Sequence, residues 1–519
     1  MWKYLLTLLL LIPLWSNDEE YSGKDPYALS EETFSRAESE DKLIFLFIGS
    51  DVCLESRQFL TDVIQDKEYV EILKNRVILA LMDYDLNPSL SIRYSIPTIP
   101  GFFVMDWEGR IYLGATKPNK DEVLPLLKNV LNAYSSDRST LKRALLDFQK
   151  QSESHLSFGS VQEVLDSTMN LPNHISLDLG RYILSLPRTH RHFLDYEDQL
   201  LQWVRSENFD FVEGSFFMPR GFSTWFAESK YAFFNFKLME MLLDFYLKTR
   251  NPEFKQALLK SLRVLKRDLA LDHQDAWSTG YASKNYFKME LRERLKYFPP
   301  APRRFDLAIS QILYLKVLYK MEVLIARGLM LPSEIQFLGE DALPKTRQDR
   351  FANLMTRYAQ EDGLIYFTPS REFSNFETQI EYFSLLQLMF QLEAVDKKVF
   401  LARMESLFEA FVKGFYDPDA KMFCDTPLQT IAAHPRLYQY PLYFVREHAR
   451  LLQFLDFLSI RTEKPVYKEW NERLVKTIAE HNHKYPQRFY WLDWYRNLAL
   501  SRQGAPEGEE IVHESRRSN

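Results

Sequence analysis

Cysteine is nearly absent: Cys53 and Cys424 are the only two in the chain, which excludes a disulfide-rich scaffold. Whether the two pair with each other stays open, because sequence spacing does not say if they lie within disulfide reach. Glycine is scarce, with 16 in 519 residues, while aromatics reach 15%. That combination favours long packed helices over a glycine-rich β architecture. A strong charge of either sign is missing too. The net charge of −6 leaves no basic excess for a nucleic-acid partner. No apolar run approaches the roughly 20 residues needed to span a bilayer. Phosphate-binding glycine loops, dinucleotide glycine patterns and zinc spacings are all absent, so no cofactor or metal is expected. His481 and His483 stand close together, but two residues apart on a helix they face different sides, with no third ligand nearby.

What is present begins with size, since 519 residues exceed what one ordinary core organises and two or more domains are expected. At the N-terminus Lys3 precedes the apolar run Tyr4–Ile12, Pro13 breaks it, and Asp18-Glu19-Glu20 follows. This reads as a signal peptide over residues 1–16 that exports the chain to a periplasm or the outside and leaves no membrane span after cleavage. An uncleaved anchor or buried first helix is the alternative, because Trp15 fits the small-residue cleavage rule poorly.

Residues 24–135 alternate between strand and helix patterns. Ser30 heads a helix, with Thr33 three residues on in the capping-box position. Leu43–Ile48 reads as a buried strand, Cys53–Ile64 as a helix and Val77–Met82 as a second strand. Phe102–Met105 and Arg110–Leu113 read as a hairpin around Asp106–Gly109, and Lys120–Tyr134 as a closing amphipathic helix. A cysteine at a helix start, then a proline just before a later strand, resembles the thioredoxin fold. From about residue 140 to 500 the spacing predicts paired helices, among them Phe236–Lys248, Phe254–Leu269, Leu307–Ile325, Ile380–Leu392, Lys398–Lys413, His448–Ile460 and Trp470–His481. Aromatic, turn-rich links follow several pairs, as at Asp275–Tyr281, Asp362–Phe367 and Tyr416–Phe423. Such hairpins either stack as an open solenoid or close into an α/α toroid; the links favour the closed ring. The basic, proline-rich residues 286–304 read as a loop, and residues 503–519 as a disordered tail. The fold class expected is therefore an α+β multidomain protein: a thioredoxin-like α/β domain followed by an all-α toroid.

This layout resembles a family that fuses a thioredoxin-like domain to such a toroid, the spermatogenesis-associated thioredoxin-like proteins among them. The toroid is similar to that of N-acylglucosamine and cellobiose epimerases. The segments Trp225–Ser283 and Gln379–Pro427 have the layout of that family's hairpins. The family's Cys-x-x-Cys stands here as Cys53-Leu54-Glu55-Ser56, and its Pro-His-Phe-Glu-Lys run is replaced after Trp225 by Phe226-Ala227-Glu228-Ser229-Lys230.

Three functional readings follow. In the first, Cys53 is a monothiol nucleophile for protein clients or thiol partners. The helix N-terminus and Arg57 favour its thiolate, Asp51 and Glu55 oppose it, and Ser56 offers a hydrogen bond but no resolving sulfur. Ile99 and Pro100 shape the docking edge, Pro100 as the expected cis-proline with Pro97 as the alternative. In the second, the toroid binds or processes carbohydrate. Glu228, Asp275, Glu381, Asp417 and Asp493 supply carboxylates, and Trp225, Trp277, Tyr382 and Trp494 supply stacking faces. The histidines near late hairpin ends are His434 and His448. In the third, the chain is an interaction scaffold without catalysis.

Overall fold

The computed structural model describes residues 28–50, 52–87, 90, 99–116, 119–139, 141, 143, 175–218, 229–271, 276–297, 299–300, 302–342, 344–370, 374–392, 396–438, 441–482 and 495. The expected signal peptide, the disordered tail and the candidates Trp225, Glu228, Asp275, Asp493 and Trp494 lie outside the described residues. Two compact units emerge from the contacts. The first is residues 1–156 with 282–284 and 429–442; the second is residues 157–281, 285–428 and 443–519. A linear reading of domain order had no means of finding the return of 429–442 to the first unit.

The first unit opens with α1 (Glu31–Ser39), where Ser30 and Thr33 form a reciprocal capping box. Its sheet comprises β1 (Leu43–Gly49), β2 (Val77–Asp83), β3 (Gly101–Met105) and β4 (Ile111–Thr116), ordered β2-β1-β3-β4. β1 pairs parallel with β2 and antiparallel with β3, and β4 returns antiparallel along β3. The parallel pair requires a crossover. Helices α2 (Leu54–Gln65) and α3 (Lys67–Asn75) supply it, and α4 (Lys120–Ser136) closes the unit. β1 is buried along its whole length, which is why it reads as an unbroken apolar run rather than an alternating one. Ile44, Leu46 and Ile48 pack on one face with Phe34, Ile78 and Met105. Phe45 and Phe47 pack on the other with Phe59, Tyr69, Val104 and Leu127. The short helices α15 (Leu428–Ala433) and α16 (Pro435–Tyr438) bring Tyr438 into the first cluster. There Arg436 Nε meets Glu31 Oε2 at 3.0 Å and its Nη2 donates to Ser35 Oγ at 2.7 Å.

The second unit is built from helical hairpins. In chain order its helices are α5 (Leu177–Ser185), α6 (Arg191–Val204), α7 (Ala232–Thr249) and α8 (Pro252–Asp268), then the short α9 (Lys284–Lys288) and α10 (Leu291–Arg294). There follow α11 (Ala308–Ala326), α12 (Pro344–Tyr358), α13 (Phe376–Leu392), α14 (Lys397–Phe415), α17 (Val445–Thr462) and α18 (Pro465–Asn482). Two populations separate by burial. α7, α11 and α13 are apolar on nearly every side, with Leu, Met and Phe buried around their whole circumference; such helices are surrounded by protein. α8 and α14 bury one stripe only, for example Phe254, Leu258, Leu262 and Leu265. Contacts run α5–α7–α11–α13–α17 in sequence, while α6, α8, α12, α14 and α18 pack as their partners. Arg446 of α17 reaches Asp178 of α5 at 3.0 Å, so the inner five close on themselves.

The segment expected as a loop over 286–304 is partly ordered, carrying α10 and the strand β8 (Arg303–Asp306), which pairs with β7 (Ala276–Ala282). Gly280 of β7 sits where an added Cβ would lie 2.4 Å from the Lys230 carbonyl. This is a close backbone approach that only glycine permits.

Candidate functional site

The inner helices turn charged side chains toward one another. Asp178 and Arg181 come from α5, Lys237, Glu240 and Asp244 from α7, and Lys316 and Lys320 from α11. Glu377 and Glu381 come from α13, and Arg446, Glu447 and Arg450 from α17. Within each helix the spacings are mostly three or four, which puts them on one face. The twelve form a network of six cations and six carboxylates.

The floor is deeply buried at Lys316 and Glu381 and half-buried at Lys320 and Asp244. Lys316 Nζ lies 2.9 Å from Glu240 Oε1 and 2.6 Å from Glu381 Oε2, with Lys316 only 1% exposed. Glu381, fully buried, also accepts from Arg450 at 2.7 Å and Arg181 at 3.3 Å. Burial opposes its ionisation, but Arg450, Lys316 and Arg181 overcome this and hold its carboxyl well below the usual range. Lys320 reaches Glu240 at 3.0 Å and Asp244 at 2.7 Å. Burial raises the Asp244 carboxyl, whereas Glu240, more richly surrounded by cations, is lowered despite its own burial.

The rim sits at the N-terminal ends of α5, α7, α13 and α17 and touches solvent. Lys237 pairs with Glu377. Arg446 pairs with Asp178, with Glu377 at 3.4 Å and with its neighbour Glu447. Glu447 is 1% exposed, and its Oε2 has no partner among the described atoms. Burial pushes the Glu447 carboxyl up, and Arg446 does not overcome it. For Glu377 burial acts in the same direction, but Lys237 and Arg446 prevail and its carboxyl is lowered. Two carboxyls touching one guanidinium are thus shifted in opposite directions. A cavity of about 20 Å³ lies between α5 and α7, lined by Asp178, Arg181, Lys237, Glu240, Met241 and Asp244 among others; Glu377, Arg446 and Glu447 do not line it. That volume is room for one or two waters.

A second set of polar residues fixes the ends of the inner helices. Asn235, the fourth residue of α7, accepts from the Phe216 N–H at 2.8 Å and donates to its carbonyl at 2.9 Å. Gln379, fourth in α13, accepts from the Ile365 N–H at 3.1 Å and donates to that residue's carbonyl at 2.5 Å. His448, fourth in α17, accepts from the Phe423 N–H at 2.9 Å and bonds Phe444 O at 2.7 Å through its other nitrogen. These clamps tie three of the five inner helices, α7, α13 and α17, to chain segments that precede them, so His448 is committed to structure.

Other sequence candidates fall elsewhere. Trp277 is 1% exposed and packs edge-to-face on Phe236 and Tyr314. Tyr382 is fully buried against Phe351 and Phe383. Neither offers a face to a sugar: apolar helices leave their large rings nowhere to go but the core. Asp417 caps its own turn and accepts from Tyr443 Oη at 2.5 Å. His434 lies in the first unit, exposed, beside Tyr438. Among the described residues no cluster of His, Cys, Asp and Glu suits a metal, and no helix is long and apolar enough to cross a membrane.

In the first unit Cys53 occupies the N-cap of α2, as expected, but its residue is only 3% exposed. A thiolate that must meet a partner's sulfur needs access, so the geometry does not present the open nucleophile the sequence suggested. Ser56 is buried as well, and its Oγ accepts from the Ser50 N–H at 3.3 Å. Ser50 Oγ in turn donates to Asp85 at 2.6 Å. The Ile99–Pro100 peptide is cis, with Ile99 packed on the core beneath. Cys53 and Cys424 form no disulfide and are both buried.

No protein-family model matches the chain, and no curated protein does. Among solved structures it is similar to a D-mannose isomerase, at 11% identity and TM-score 0.42, over 62% of this chain and 87% of that one. It is similar to the cellobiose 2-epimerase of Spirochaeta thermophila, at 12% identity and TM-score 0.43, over 63% and 86%. It is similar also to a family 76 α-mannanase of Bacteroides thetaiotaomicron, at 10% identity and TM-score 0.41, over 66% and 94%. The ring described above stands on its helix order and its ion pairs.

Proposed function

We propose that the helical unit binds and processes carbohydrate at the rim of its ionic ring, with Glu447 as the proton-holding acid and Glu377 as the ionised base. The observation that supports this is the opposed shift of two carboxyls on one arginine, Glu447 raised and Glu377 lowered. Such a split is how a site assigns acid and base roles to chemically identical groups. Sharing Arg446 keeps the pair within the roughly 5–10 Å that glycoside chemistry uses. Sugar hydroxyls would take the place of the charge-assisted bonds among Asp178, Lys237 and Arg446, which are partly exposed already. A sugar ring would reach the pair only as Lys237 and Arg446, both long and flexible, leave their carboxylate partners and swing outward.

The test is a thermal-shift panel of mono- and disaccharides, followed by NMR of any stabilising sugar for epimerisation or bond cleavage. Glu447→Gln should retain binding and lose turnover. A panel in which no sugar raises the melting temperature overturns the reading, as does full turnover by Glu447→Gln.

For the first unit we propose a thioredoxin-like accessory that binds without exchanging thiols. Support comes from the β2-β1-β3-β4 order and the sealed Cys53. We also propose export with cleavage after Ser16, which N-terminal sequencing of protein from the native host would check; an intact Met1 would refute it.

A further inference from the structure

The segment from Lys284 to Arg304 carries seven Lys and Arg against two Glu, in a chain whose net charge is −6. It also holds three exposed large apolar side chains, one of them the most exposed among the described residues. Leu295 is 78% exposed, Tyr297 60% and Leu291 52%. Leu291 and Leu295 are four apart, spanning α10 and its C-cap, and so project on one side. Lys288, Arg292 and Lys296 are exposed between and beside them.

Exposed leucines on a floppy loop would mean little, but this segment is clamped from beneath. Arg294 is buried, and its Nη1 lies 2.6 Å from Asp210 Oδ2 and 2.9 Å from Glu213 Oε2. Its Nε and Nη2 donate to the carbonyls of Met289 and Phe287 at 3.0 and 2.8 Å. Asp210 is held in turn by the fully buried Lys230 at 2.7 Å, whose ammonium lies over the Phe217 and Phe287 rings. The same bonds join to this segment the loop carrying Phe211, itself 58% exposed. Arg294 is thus turned inward while Leu291, Leu295 and Tyr297 are held outward, a placement of large apolar groups that a surface facing only water does not favour.

We propose that this face docks on an anionic phospholipid surface, with Leu291, Leu295, Tyr297 and Phe211 entering the headgroup layer and Lys288, Arg292 and Lys296 meeting lipid phosphates. Separately protruding leucines and a tyrosine, interleaved with cations, suit a soft interface that yields around each side chain. A protein partner would call for a flatter, continuous apolar patch. On this face the exposed Lys288, Arg292 and Lys296 outnumber the exposed Glu290 and Glu293, an excess of positive charge complementary to anionic lipid.

The full chain carrying Leu295→Cys is labelled with an environment-sensitive fluorophore at that thiol, the two native cysteines being buried. It is titrated with phosphatidylcholine vesicles and with mixed phosphatidylglycerol–phosphatidylcholine vesicles. A blue shift with the mixed vesicles alone, weakened by salt, is expected. Lys288→Gln/Arg292→Gln/Lys296→Gln should lower the apparent affinity by roughly a hundredfold at low salt. Leu291→Ser/Tyr297→Ser should lower it about tenfold or more. Melting temperatures within a degree or two of the parent's establish that each variant is folded. Overturning results are an unshifted label while the protein sediments with vesicles, an equal response to neutral vesicles, and a response to an acidic polyglutamate peptide but not to lipid.

Discussion

Lys316→Met removes the cation at the centre of the ionic floor while keeping most of the side chain's volume. Lys316 is 1% exposed and bridges Glu240 and Glu381. Breaking a buried pair by deleting one partner costs about 3–5 kcal/mol, because a charge is left buried without its counterion. Here the orphaned carboxylates keep other cations, Arg450 and Arg181 on Glu381 and Lys320 on Glu240. The cost should therefore fall near the lower end, about 3 kcal/mol. With an unfolding entropy of about 0.7 kcal/mol/K for a unit of this size, the melting temperature should drop by roughly 4 °C. Calorimetry and chemical denaturation should agree on that figure. The double variant Lys316→Met/Glu381→Leu should lose less than the sum of its parts, with a coupling of about 1–3 kcal/mol. A single variant as stable as the parent, or strictly additive losses, would refute the claim that these charges hold one another in place.

Three further outcomes are expected. Glu381 is held below the ordinary carboxylate range, so its contribution is present above the unfolded-state value of about 4.3 and is lost as pH falls toward the folded-state one. Glu381→Gln should flatten the acid limb of a stability-versus-pH curve below about pH 4.3, and an unchanged limb would contradict it. Native protein should react with a thiol reagent far more slowly than unfolded protein, which should yield two thiols, since Cys53 and Cys424 form no disulfide and are buried; rapid native modification would restore the nucleophile reading. Gly280→Ala would set a Cβ 2.4 Å from the Lys230 carbonyl and should destabilise by about 1–3 kcal/mol, measured by urea denaturation, whereas a neutral substitution would mean the strands separate freely.

Much of the fold was legible because apolar periodicity is a local property. The strand over Leu43–Ile48 and the helices near Phe254 and Lys398 read within a few residues of their observed bounds. The return of Gln429–Leu442 to the first unit was not, since Arg436 and Glu31 meet across most of the chain with no local pattern to announce them. The aromatic candidates failed for a related reason. Trp277 and Tyr382 occur in the motifs a sugar platform would use, yet an aromatic on an all-apolar helix or its capping strand serves the core equally well. Only the neighbours decide, and here Phe236, Tyr314 and Phe351 enclose them.

The ionic ring did leave a signal, and it lay in the exceptions. α7, α11 and α13 are apolar around their whole circumference, so a charge in the middle of one cannot reach water and must find an opposite charge on another helix. Glu381 stands in the sequence as a single carboxylate candidate, and no local pattern marks Lys316, Arg181 and Arg450 as its partners. Taken helix by helix, the signs order the ring. α11 contributes only cations, and it lies between α7, with two carboxylates to one lysine, and α13, which contributes only carboxylates. α17, with two arginines to one glutamate, follows α13. Opposite signs on adjacent helices favour this neighbour order over any shuffled one, because like charges brought together in the interior repel strongly. Charge order therefore selects the arrangement of helices whose apolar surfaces alone would pack almost interchangeably. The same ordering leaves Glu447 and Glu377 at the rim on one arginine, the first carboxyl raised by burial and the second lowered by Lys237 and Arg446.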